Sequence, residues 1–124
     1  NENKKVVLAT VHQQFVDGIA QANIPLTYKD VELEYIERWL SKGFSVLLLI
    51  STYSFDGKKS PHWVCVTHLD EHCVYVHDPF CEPGSDKQLA IDCQYVPIAR
   101  SDVSKMSAFG SQRLRTAVAI ANKI

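Results

Sequence analysis

The residues with the most to offer chemically lie in one stretch of this 124-residue chain. It runs Ser60-Pro61-His62-Trp63-Val64-Cys65-Val66-Thr67-His68, turns at Leu69-Asp70-Glu71-His72, and returns through Cys73-Val74-Tyr75-Val76-His77-Asp78-Pro79. Both arms alternate with period two, the signature of a β-hairpin. Successive strand side chains take opposite faces, so His62, Val64, Val66 and His68 share one face while Trp63, Cys65 and Thr67 take the other. Pairing Val64 with Val76 and Val66 with Val74 matches the apolar faces and sets His62 directly opposite Asp78. A carboxylate beside an imidazole fixes its tautomer and favours its charged form, which is the orienting half of a nucleophile, base and acid triad.

The third member of such a triad is a nucleophile within hydrogen-bond reach of the imidazole. No cysteine precedes His62. Cys65 falls on the opposite face of its strand and Cys73 faces away from Asp78, whereas Cys81 and Cys93 lie in segments that the pattern does not fix. Cys81, three residues past the acid, is the best remaining thiol, although an incidental loop cysteine is its plainer reading. The region from Ser51 to Ser60 offers serines, without the Gly-x-Ser-x-Gly setting that would support one. His68, His72, His77, Cys73 and Cys81 are dense enough to raise zinc, and His68-x3-His72 matches a ligand spacing. The strand faces speak against it, because His68 and His77 point apart and His72 sits in the turn; no metal or other cofactor is expected. Tyr53, Trp63 and Phe80 flank the site and are candidates to line a peptide groove. Core packing is the plainer account for Trp63, as for Tyr75, which leaves Tyr53 and Phe80 as the better groove residues.

Composition narrows the classes. A net charge of −1, with 22% charged and 46% hydrophobic residues, gives neither a disordered chain nor the basic footprint of a nucleic-acid partner. The longest apolar run, Val46 to Ile50, is far short of the roughly 20 residues a membrane helix needs. The length fits one domain over residues 1–124 with a core that needs no staples, so the four cysteines are expected reduced, as in a cytoplasmic protein. The chain starts at Asn1 without an initiator methionine, which points to an upstream segment.

The elements that must position the site follow from periodicity. Val7, Val11, Phe15 and Ile19 recur at four-residue steps and predict an amphipathic helix from about Lys4 to Ala22. Glu32 to Lys42 predicts a second, with Leu33, Ile36 and Leu40 on one face and Gly43 as its left-handed stop. Phe44 to Thr52 is a near-continuous apolar run, expected as a central strand buried on both faces. Past Pro79, Gly84-Ser85-Asp86-Lys87 is a solvated loop and Gln88 to Ile98 is expected to be extended, with Pro97 marking an edge. Ser101 is placed to cap a short helix running to about Phe109 and closed by Gly110, and Thr116 to Ile120 predicts a last strand. The sum is an α+β fold, with N-terminal helices followed by an antiparallel sheet of about four or five strands.

Several of these motifs together resemble a known family. Ser51-Thr52-Tyr53, Lys58-Lys59-Ser60-Pro61-His62-Trp63-Val64-Cys65-Val66-Thr67 and Val74-Tyr75-Val76-His77-Asp78-Pro79 resemble the double-glycine cysteine peptidases that process bacteriocin leaders, within the papain-like superfamily. Asp92-Cys93-Gln94-Tyr95-Val96-Pro97-Ile98 and Met106-Ser107-Ala108-Phe109-Gly110 look like an uncharacterised bacterial branch of it. The resemblance implies His62 as the general base and Asp78 as its orienting acid. It also implies a glutamine for the oxyanion hole, followed a few residues later by a Cys-Gly at a helix N-terminus. Neither pattern occurs in this sequence, and no Cys-Gly follows Gln13 or Gln14. The expectation is therefore the His/Asp-bearing, C-terminal part of a longer papain-like cysteine peptidase domain. It would be inactive alone and would act on a peptide or protein substrate with a thiol from a missing N-terminal segment. The alternative is a catalytically inactive peptide-binding domain of the same fold.

Overall fold

The computed structural model describes residues 1–80 and 89–122. Cys81, the expected Gly84–Lys87 loop and the start of the expected extended segment at Gln88 lie outside the described residues. The chain begins with a long helix, α1 (Glu2–Gln21), capped by the Asn1 side chain accepting from the Asn3 amide at 3.2 Å. It is helical as its four-residue spacing predicts, yet none of its residues is buried. Val7 and Phe15, at the heart of the apolar stripe, stand 60% and 69% exposed.

The second helix, α2 (Leu33–Ser41), buries Leu33 and Ile36. Gly43 follows at φ +79°, the left-handed residue that its sequence position calls for. The chain then enters β1 (Phe44–Ser51), makes the single turn α3 (Tyr53–Asp56), and forms the hairpin β2 (Pro61–Leu69) and β3 (Cys73–His77). A 3-10 turn over Ala90–Cys93 leads to β4 (Val96–Ala99), α4 (Arg100–Met106) and finally β5 (Ala117–Ala121). The five strands form one antiparallel sheet in the order β4-β3-β2-β1-β5. β4 is an edge, where the missing amide of Pro97 costs no ladder bond.

The core lies on one face of this sheet. Val46, Leu48 and Ile50 of β1, Val64, Val66 and Leu69 of β2, Val74 and Val76 of β3 and Ile98 of β4 are buried with Leu33 and Ile36 of α2 and Val103 and Met106 of α4. β1 is thus an interior strand, but it is not buried on both faces as its unbroken apolar run predicts. Leu47 and Leu49 are only half-buried, in line with Trp63, Cys65, Val118 and Ile120 on the reverse face. Strand length and apolarity alone do not separate one covered face from two. Ser107, the one buried polar residue in the described set, donates its hydroxyl to the Val103 carbonyl at 2.7 Å.

The hairpin departs from its expected register. Val66 pairs with Val76, Cys65 with His77 and Leu69 with Val74, with a bulge between Val66 and His68. The cause lies in the turn, which Asp70 closes tightly. Its Oδ1 accepts from the amides of His72 at 2.8 Å and Cys73 at 2.7 Å, and its Oδ2 accepts from the Tyr75 hydroxyl at 2.7 Å. The bulge absorbs the residue that this turn leaves over, so Leu69 rather than His68 enters the core. His68 is exposed beside the Tyr75 ring, with centroids 5.7 Å apart.

Two further expectations give way to local hydrogen bonding. Residues 90–93 are helical rather than extended because the Asp92 carboxylate caps the turn, accepting from the Leu89 amide at 2.8 Å. α4 starts at Arg100 without a side-chain cap and ends at Met106, so neither Ser101 nor Gly110 bounds it. Gly110, at φ +71°, serves instead the tight loop closed by the Phe109–Leu114 bridge. Elsewhere Asp30 ties the segment before α2 to the approach of β5, accepting from the Arg115 amide at 2.7 Å and pairing with its guanidinium. That guanidinium holds the Asp30 carboxyl below its ordinary range. No helix among the described residues is long and apolar enough to cross a membrane.

Two measurements check this account. Ile36 is fully buried between α2 and the sheet, so Ile36→Ala should lower unfolding stability by about 3 kcal/mol in denaturant titration. A loss below about 1 kcal/mol would place the core elsewhere. The hydrogen bonds from Cys73, Tyr75 and His72 hold the Asp70 carboxyl at about 2, below its ordinary 3.8. A depressed folded-state value stabilises above the unfolded pKa and fades as pH falls through the folded one. The melting-temperature gap between the native chain and Asp70→Asn should therefore narrow from about pH 4 down to about pH 2. A gap that stays constant over that range would refute the assignment.

Candidate functional site

His62 enters the site because it sits at the start of β2 on the core face, paired with the buried Ile50 of β1. Asp78 comes from the other arm, one residue past the end of β3. The shift in register means that the two are not directly opposite. The last β2–β3 pair is Cys65 with His77, so Asp78 continues opposite Val64 and reaches His62 diagonally. Both stay on one face, and His62 Nε2 lies 2.7 Å from Asp78 Oδ1. Side-chain exposures of 24% and 35% leave the pair at the rim of the core, open on one side to solvent.

Further hydrogen bonds fix the acid. Asp78 Oδ1 also accepts from the Phe80 amide at 2.9 Å, an Asx turn across Pro79. The Asp78 amide donates to the Cys93 carbonyl at 2.8 Å. An ionised carboxylate only accepts, so the hydrogen of the His62–Asp78 bond belongs to Nε2 and the ring's lone pair belongs to Nδ1. The arrangement can thus present an imidazole in a single tautomer with Nδ1 as the basic atom.

The other expected site residues fall in different places. Tyr53 opens α3, three residues past Ile50 of the His62 rung and two past the Ser51–Pro61 pair, and is 55% exposed beside Lys59, whose Nζ lies 5.7 Å from its ring centroid. Phe80 is 61% exposed next to the acid. Trp63 is on the reverse face of the sheet, paired with Leu49 and 40% exposed, so it neither packs in the core nor shares a face with His62. The strand alternation that places His62 beside Val64 also excludes Trp63 from that side. A shallow cleft beyond the acid is lined by His77, Asp78, Ala90, Cys93, Gln94 and Tyr95. Pattern reading missed the part played by Cys93 and Tyr95, since a continuous extended segment was expected there. The available signal was Asp92, three residues after Leu89, at the spacing of a helical cap.

Fold and site together define an α+β protein with an acid-oriented histidine at the end of a hairpin, an arrangement suited to general-base chemistry. The profile of a family described as "Peptidase_C39 like family" matches residues 1–121, and the chain belongs to that family. No curated protein and no solved structure matches it.

The tautomer can be read directly. In nitrogen-detected NMR of histidine-labelled protein at neutral pH, neutral His62 should carry its proton on Nε2, and Asp78→Ala should return the ring to a mixture. A native ring protonated on Nδ1 would contradict the pairing.

Proposed function

We propose that this chain supplies the base and acid of a papain-like cysteine peptidase acting on a peptide or protein substrate. The observation that carries the reading is the 2.7 Å contact between His62 Nε2 and Asp78 Oδ1, which in this reading leaves Nδ1 as the atom to meet a thiol. Membership of a C39-like peptidase family supports it. Among the described residues the thiols are directed elsewhere. Cys65 is on the reverse face, Cys73 is at the turn end of β3, and Cys93 donates to the Phe80 carbonyl at 3.5 Å. The nucleophile in this reading comes from an additional N-terminal segment.

Nδ1 takes the thiol proton, giving a thiolate beside an imidazolium whose charge Asp78 balances. The thiolate attacks the scissile carbonyl, and the imidazolium returns the proton to the leaving amine as the C–N bond breaks. Water, deprotonated by the same Nδ1, then hydrolyses the thioester and regenerates the thiol. Tyr53 and Phe80, both exposed and carried on the segments next to His62 and Asp78, are the proposed substrate contacts.

The test uses the intact protein with its upstream sequence. His62→Ala should reduce peptide cleavage by on the order of 10³-fold or more, with an unchanged fold by circular dichroism. Undiminished cleavage would show that another base operates. Peptide binding without cleavage by the intact native protein would instead identify a binding domain.

A further inference from the structure

Asp78 lies where the sheet no longer holds it. The β2–β3 ladder ends at Cys65 and His77, and the β3–β4 ladder ends at Val76 and Val96. Something else must set the direction of a carboxylate on which the tautomer of His62 depends. A ring of three contacts does this. The Cys93 carbonyl accepts from the Asp78 amide at 2.8 Å, Asp78 Oδ1 accepts from the Phe80 amide at 2.9 Å, and the Phe80 carbonyl accepts from the Cys93 thiol at 3.5 Å. The segment is oriented for this purpose. Of the 3-10 turn and its flanks, Leu89, Ile91 and Tyr95 are 67%, 70% and 64% exposed, whereas Cys93 is 5% exposed. Two residues on, Tyr95 is held at φ +52°, a conformation that costs a non-glycine residue energy and persists where surrounding contacts enforce it. Its amide donates to His77 Nδ1 at 3.2 Å, and its ring meets the His77 ring edge-on at 4.5 Å. The segment thus grips the chain on both sides of the acid, at His77 and at Phe80.

We propose that Cys93 is a positioning residue for the His62–Asp78 pair, holding the Asp78-Pro79-Phe80 turn through its carbonyl and its thiol, with Tyr95 as the second point of the same bracket. The catalytic consequence rests on the peptidase reading above; the structural one does not. Removing the thiol donor frees the Phe80 end of the turn, lets Asp78 swing, and releases His62 from its single tautomer.

The experiment reads the His62 ring nitrogens in this chain by NMR for Cys93→Val, Cys93→Ser and, as a control thiol at the other end of β3, Cys73→Val. Cys93→Val should move His62 toward the mixed-tautomer signature of Asp78→Ala, Cys93→Ser should restore the native signature through its hydroxyl, and Cys73→Val should leave it unchanged. A folded Cys93→Val with native His62 signals would overturn the proposal, as would an equal response to Cys73→Val. Should Cys93→Val not fold, the unmodified chain decides. A slowly exchanging Asp78 amide and a through-bond coupling from the Tyr95 amide to His77 Nδ1 support the bracket, and exchange at the rate of an open loop with no coupling overturns it. In the intact protein Cys93→Val should lower kcat by about tenfold or more with KM little changed, as misplacement near the reacting groups does. If His62→Ala leaves cleavage intact, the peptidase reading fails while the ring-nitrogen result still judges the bracket.

Discussion

The β-branched side chains of Val46, Val64, Val66, Val74 and Val76 interlock on one face of the central strands, and the placement of α2, α4 and the site follows from them. Their burial under α2 and α4 removes apolar area from water at about 25 cal/mol per Å² and fixes which way each strand presents its alternate residues. A slip of one residue in β2 would expose its whole valine set. His62 belongs to that set by parity, next along from Val64. Its orientation is therefore enforced by the same burial that makes the fold, two residues away from where the chemistry would occur.

The acid is held by different means. His62 rides on a hydrogen-bonded strand, whereas Asp78 sits beyond the end of one, in a turn built from Pro79, the Phe80 amide and contacts from a distant 3-10 turn. This division suits a partly open site. The histidine needs a fixed position, and its partner needs a fixed direction that a strand end does not itself provide. Ionised Asp78 keeps contact with solvent, so the pair escapes the heavy desolvation cost of a buried charge while retaining a short, charge-assisted bond.

Much of this was legible in the residues. Alternation over 62–68 and 73–78 placed the hairpin and put His62 and Asp78 on one face, and the four-residue spacing of Val7, Val11, Phe15 and Ile19 placed α1. What periodicity could not supply was long-range or side-chain-driven. The register differs from the one that matching valines by count predicts, because Asp70 closes the turn and the bulge absorbs the residue left over. Residues 90–93 look extended by pattern but form a 3-10 turn, because a single capping carboxylate, Asp92, outweighs the apolar look of Leu89, Ala90 and Ile91. Whether β1 is covered on one face or two depends on which helices pack where, and Leu47 and Leu49 are chemically indistinguishable from Leu48 until that is known. For α1 the pattern gave the helix but not its packing, since an apolar stripe states a preference and not a partner.

The bulge at Thr67 has one more consequence, for how the hairpin tolerates change. In an unbroken ladder a one-residue slip between the turn and the site would reverse the facing of every side chain beyond it, the site included. With an extra residue already stored between Val66 and His68, the hairpin has a joint that separates its two ends. His62 and Asp78 thus keep one facing while Leu69, at the other end of the same hairpin, takes the core position that strict alternation would give to His68.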